Sequence, residues 1–152
     1  MTSGTRLFAE YGAYHRDRRN LVCHEIGIPL IVFGIVALLR LVPVWSPFLN
    51  TNLAAVLLLA LIVYYTVAFG RSHGSAVSIA VVGLVVLYFA AAYLSWPFAV
   101  GAFVAGWVFQ FVGHAYEGKS PAFLTNLLHL LVGPLWVASH LVPKSASSSS
   151  AR

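Results

Sequence analysis

The sequence predicts an all-α protein: a polytopic membrane helix bundle of four to five spanning segments with an N-terminal interfacial helix. Three observations lead there. Of 152 residues, 60% are hydrophobic and only 9% are charged, where a soluble domain carries about 25% charged residues. The apolar residues come in long runs and do not alternate with polar ones, so no single water-facing core is implied. The polar residues collect in short clusters at the ends of those runs.

Residues 4–20 are expected to lie at the interface, because Leu7, Phe8, Tyr11 and Tyr14 recur at helical spacing while Arg6, Glu10 and Asp17 fall elsewhere. Asn20 is the expected cap of the next helix. The first span covers about 21–41 and ends before Pro43 and Pro47, with Gly27 and Pro29 in its opening turns if it begins near Ile26. The second covers 53–69, and Gly70 to Ser75 form a tight polar turn. A third covers 76–94. Ser95-Trp96-Pro97 reads as a cap with a first-turn proline, opening a fourth span over 96–114. A fifth apolar segment, 122–142, is interrupted at Gly133-Pro134. The expectation is one integral membrane domain over 1–143, followed by a disordered Ser-rich tail at 144–152. The polar N-terminus lacks the apolar core of a cleavable signal, so the first span is expected to direct insertion.

The net charge of +5 does not point to nucleic acid. The basic residues flank apolar segments and form no basic-aromatic groove, which fits a lipid bilayer surface instead. With the N-terminus inside, the cytoplasmic face collects Arg6, Arg16, Arg18, Arg19, Arg71 and Lys119, against Arg40, Lys144 and Arg152 outside. Six against three favours that orientation. The single cysteine, Cys23, excludes an intramolecular disulfide and a Cys-rich metal knuckle.

The same orientation brings two polar clusters to one membrane depth. His15 and His24 sit at the inner end of the first span, and His114 and Glu117 at the inner end of the fourth. Ionisable groups beside spanning segments are functional candidates by default. His15 and His24 are nine residues apart, so on one continuous helix they would face opposite ways. Arg18-Arg19-Asn20 is the expected bend that lets them converge. His114 and Glu117 are three apart and share a face. Three neutral imidazoles and a carboxylate suit non-haem iron, and zinc next. A lone interfacial histidine is more often an amphipathic surface residue, and His73, in a turn with no acidic partner, belongs to that class. Gln110, one turn before His114, is expected to orient it by hydrogen bonding. Tyr11, Tyr14, Tyr116, Trp45, Trp96 and Trp107 read as interfacial belt aromatics. His129 is placed to hang over the cluster. His140 rejoins it only if Gly133-Pro134 turns the chain back.

Tyr14-His15 with Asn20 and His24, then Gly106 to His114 with Glu117, Pro121-Ala122 and Asn126, resembles the membrane 2-hydroxy-fatty-acid dioxygenases. The resemblance covers nearly the whole chain. It implies an Fe(II)-dependent enzyme that uses O2 to shorten a long-chain 2-hydroxy fatty acid by one carbon, the α-oxidation step of phytosphingosine breakdown in the fungal endoplasmic reticulum. With the orientation that the Lys and Arg count favours, the site is expected to face the cytoplasm, in the inner membrane of a bacterium or the endoplasmic reticulum of a eukaryote. His15, His24 and His114 match the family's histidines and are the implied metal ligands. His129 stands where the family favours Gln, a poor iron ligand, which implies that it contacts substrate or supports the ligands, and His140 stands where it favours Glu, which leaves a possible ligand there. Arg16, Arg18 or Arg19 could attract the substrate carboxylate, with Arg19 taken as the substrate-binding residue. Glu117 is the expected catalytic group, as ligand or base.

Two rivals come from other classes. A bis-His haem redox carrier needs histidines on facing helices, which this chain supplies. A proton-relaying transporter needs polar groups along a path through mid-membrane, and the second and third spans are almost wholly apolar.

Overall fold

The computed structural model describes residues 3–13, 15–45, 50–118 and 128–142. Tyr14, the 119–127 segment with Pro121, Ala122 and Asn126, and the Ser-rich tail lie outside them. Among the described residues the helices run α1 (Ser3–Ala13), α2 (Arg18–Leu39), α3 (Leu53–Phe69), α4 (Gly74–Ala90, prolonged by one 3-10 turn, Ala91–Tyr93), α5 (Trp96–Glu117) and α6 (Leu128–His140). Two short antiparallel strands, β1 (Pro43–Trp45) and β2 (Asn50–Asn52), pair with Val44 opposite Thr51. The fold is therefore mostly helical rather than all-α. A hairpin occupies the link that the prolines mark, and Asn52 then caps α3 by accepting from the Ala55 N–H at 3.0 Å.

Three helical stretches, Arg18–Leu39, Gly74–Tyr93 and Trp96–Glu117, are long and apolar enough to cross a membrane. Helix α3 is equally apolar, but its 17 residues reach only about 25 Å. Helix α6 has 13 residues and is shorter still. It runs unbroken through Gly133-Pro134, so the expected interruption is absent. Near the proline, the Tyr65 hydroxyl donates to the Leu131 carbonyl at 2.6 Å. Large apolar side chains such as Val67, Val82, Phe89, Phe98 and Val108 stand exposed around the bundle. A surface apolar on so many sides is consistent with a membrane protein.

Helices α2 and α5 form the closest antiparallel pair. Gly27 and Gly34 on α2 are seven residues apart, as are Ala99, Gly106 and Gly113 on α5. A Cβ added at Gly27 would stand 2.9 Å from the Gly106 carbonyl, and one at Gly34 would stand 2.7 Å from that of Ala99. Small residues let helix backbones approach within a membrane, and a seven-residue repeat keeps them on one seam. Helix α1 does not merely lie on the bundle. Its Leu7 and Tyr11 are buried with Trp136, Leu135 and Val132 of α6 and Phe69 of α3.

Candidate metal centre

The chain bends just ahead of α2. Asp17, not Asn20, caps that helix, its carboxylate accepting from the Arg19 N–H at 2.8 Å. The bend accordingly falls at His15–Asp17 and not at Arg18-Arg19-Asn20. Because α2 starts at Arg18, Pro29 lies in its interior. Asn20 sits in the first turn, fully buried.

Glu117, on the last turn of α5, secures the bend. Its carboxylate accepts from the backbone N–H groups of Arg16 at 3.0 and 3.1 Å and of Asp17 at 2.8 Å, and from the Asn20 amide at 3.1 Å. This is the work of the glutamate in a capping box, supplied from a distant helix. A carboxylate is unfavourable at its own helix C-terminus but favoured at the N-terminus of another. Helix α5 runs one turn past the predicted end and stops at Gly118, which adopts a left-handed φ of 67°.

The bend drops His15 onto His24. The His15 Nδ1 lies 2.8 Å from the Tyr11 carbonyl, and the His24 Nδ1 lies 3.0 Å from the Asn20 carbonyl. A carbonyl only accepts, so each Nδ1 carries the proton and each neutral ring keeps a bare Nε2. Those two Nε2 atoms are 2.9 Å apart. Burial pushes the His15 imidazole down to about 4, which leaves it neutral at pH 7. Two bare lone pairs so close repel unless a cation lies between them. Two imidazole nitrogens bound at about 2.1 Å and near a right angle to one ion would stand about 3 Å apart.

His114 completes the group: one ligand atom from each of His15, His24 and His114 lies within 4.8 Å of the others, and all three residues are buried. The His114 Nδ1 has no hydrogen-bond partner among the described residues, nor has the Gln110 Nε2. The expected Gln110 to His114 hydrogen bond is therefore not made. Gly113 creates the space, since a Cβ there would lie 2.5 Å from Asn20 Oδ1 and 3.3 Å from His24 Nδ1. All-imidazole donors, two of them with tautomers set by backbone carbonyls and with lone pairs facing each other, fit a transition-metal ion.

The remaining candidates fall around this cluster. His129 is buried and lines the same cavity of about 130 Å³ as the three histidines, with Gln110 and Trp107. Tyr11 and Trp107 are thus part of the site and not belt aromatics. The Tyr11 ring stacks on His15 at 4.4 Å, and burial raises its phenol far above the usual range. Trp136, which the sequence reading passed over, packs on His15 at 4.9 Å and on His140 at 4.2 Å. It stands between the buried cluster and the exposed His140, whose Nδ1 turns to the Trp136 carbonyl. Arg19 pairs with Asp17 at 3.0 Å and lies over the Tyr116 ring at 4.4 Å. His73 is not part of the cluster and packs, tilted, on Phe8 at 4.4 Å. The small residues of the α2–α5 seam were also missed, although their spacing is visible in the chain.

The family described as 2-hydroxy-palmitic acid dioxygenase Mpo1-like matches residues 1–145. The 2-hydroxy-palmitic acid dioxygenase MPO1 of Saccharomyces cerevisiae is 29% identical over 123 residues, which cover 80% of this chain and 69% of the yeast protein. No solved structure matches.

Proposed function

The chain belongs to the Mpo1-like family of 2-hydroxy-palmitic acid dioxygenases, and from that premise we propose an Fe(II)-dependent membrane enzyme. It would cleave a long-chain 2-hydroxy fatty acid with O2 to give the acid one carbon shorter. The observation that carries the metal assignment is the pair of bare Nε2 atoms 2.9 Å apart, with His114 beside them. His15, His24 and His114 would hold the ion. Bound there, ferrous iron would supply electrons for O2 and open positions for the adjacent carboxylate and hydroxyl oxygens of a 2-hydroxy acid.

The protein's own groups do the rest. The Tyr11 and Asn20 carbonyls orient two imidazoles and fix their tautomers. Tyr11 and Trp136 wall the cluster and keep water from it. Gln110 and His129 line the cavity where the acid head would sit and act as its polar contacts. Glu117 keeps the bend that presents His15, a positioning role. Arg19, held over Tyr116 at the rim, would attract the carboxylate from outside. The excess of Lys and Arg at this end supports a cytoplasm-facing site, in the inner membrane of a bacterium or the endoplasmic reticulum of a eukaryote.

The haem reading is disfavoured by the same distance. Axial imidazoles must stand on opposite faces of a macrocycle, and no plane fits between nitrogens 2.9 Å apart. The test uses detergent-purified protein loaded with Fe(II) and supplied with 2-hydroxyhexadecanoate in an oxygen electrode. Oxygen uptake with formation of pentadecanoate is expected, and the unsubstituted acid should not be consumed. Equal turnover of both acids, or full activity in an iron-free preparation, would refute the reading.

A further inference from the structure

We propose that the substrate's acyl tail occupies one particular groove, between α2, α3 and α6, and that Leu39 and Leu57 at its far end set the longest tail accepted. The inference rests on the 2-hydroxy acid reading above and adds where the tail goes.

The histidine cavity, about 130 Å³, is small and holds the polar contacts. Val32, Ile35, Leu130 and Pro134 form part of its wall, and the same four side chains border an apolar hollow of about 540 Å³. The two spaces therefore adjoin across these four side chains. On α2, His24, Ile28, Ile31, Ile35 and Leu39 recur at steps of four, three, four and four, so one helix face leads from the imidazole to the far end of the hollow. The path covers 15 residues, or about 22 Å along the helix. That is room for an extended long-chain tail whose head lies at His24.

The lining suits a hydrocarbon. Its polar side chains are Tyr64 and Tyr65, and the Tyr65 hydroxyl is already bonded to the Leu131 carbonyl. The far end is anchored where the chain enters α3, because the Leu53 N–H donates to the Val42 carbonyl at 2.9 Å. Leu39 and Leu57 sit beside that anchor. A second hollow, about 270 Å³ between α2, α4 and α6, also touches the histidine cavity through Ile28, Val32 and Pro134. Its wall on α2 ends at Val32, so it offers no comparable length along the face that bears His24.

The iron-loaded protein would be tested with a homologous series of 2-hydroxy acids. Leu57 is about half-exposed (48%), so Leu57→Trp can fill the groove's end without disturbing the core. It should lower kcat/KM at least tenfold for the longest acids and leave the shortest unchanged. Leu39→Ala should shift the optimum to longer acids, each added methylene being worth about fourfold. Val86→Trp, in the second hollow, should leave the profile as it was. Truncation by Val86→Trp, or an unchanged profile in Leu57→Trp, would overturn the assignment.

A readout free of turnover separates this claim from the one it rests on. A 2-hydroxy acid with a diazirine on its terminal carbon should crosslink to Leu39, Leu57 or Leu58. Labelling of Gly83, Val86 or Leu87, or labelling scattered over outward residues such as Val104 and Val108, would show that the tail lies elsewhere. If no 2-hydroxy acid is turned over, the dioxygenase reading fails while the crosslink still decides the groove.

Discussion

The Nε2 atoms of His15 and His24 face each other at 2.9 Å, each ring held by a backbone carbonyl four residues earlier. Neither ring can turn away without breaking its Nδ1 bond, and His15 is buried too well to take up a proton readily. A cation between the two lone pairs would relieve their repulsion. The consequences can be measured.

His24→Ala or His114→Ala should abolish turnover and remove the bound metal while the protein still inserts and purifies. His73→Ala should keep its metal and lose at most about 1 kcal/mol, the value of its ring contact with Phe8. Metal analysis of the three purified variants separates them. Equal metal loss at His73 and His114 would mean the site is wrongly placed.

Glu117→Ala should lose roughly 2 kcal/mol of stability, since it deprives the Arg16 and Asp17 N–H groups and the Asn20 amide of a charged acceptor. Metal content should fall with it because the bend loosens. Melting temperature and metal stoichiometry test this together. A variant with both unchanged but no turnover would make Glu117 a catalytic base instead.

Gly106→Ala and Gly113→Ala should each destabilise the protein by about 1–3 kcal/mol, because the added methyl pushes α2 away from α5. Gly101 meets nothing within 4 Å, so Gly101→Ala should be neutral or stabilising by up to about 1 kcal/mol. Thermal unfolding in detergent distinguishes these cases, and similar melting temperatures for all three would contradict the close seam.

Acid should destabilise the metal-free protein. The His15 pKa is about 4 in the fold and about 6.5 in an unfolded chain. The unfolded state thus binds more protons between those values, and the contribution is complete above about pH 6.5 and lost as pH falls towards 4. The melting temperature should decline across that window, and His15→Gln should flatten the decline. An equally steep fall in His15→Gln would assign the effect to other groups.

Much of this was legible in the chain. The bounds of α3 follow directly from an uninterrupted apolar run between Asn52 and Gly70. An even number of segments between His24 and His114 predicts that they share one end of the bundle. Asp17 and Asn20 are equally good caps by residue type, however, and a carboxylate 97 residues away from Asn20 decides between them. The glycines at 27, 34, 106 and 113 announce a close seam without naming its partner. Trp136 reads as one more apolar residue of a hydrophobic run between His129 and His140, and only the fold sets it against His15. Pro134 reads locally as a break, yet the helix continues through it.

The pairing of α2 with α5 also fixes an order of events during biosynthesis. At roughly 5–20 residues per second, a ribosome needs about 5–20 s to travel from Asn20 to Glu117. For that interval the first long segment waits in or beside the insertion machinery with its glycine seam unmatched and its buried Asn20 and His24 lacking their neighbours. Completion of the three-histidine group by His114 must follow emergence of α5, so a nascent chain truncated before it should be the form most readily handed to quality-control proteases.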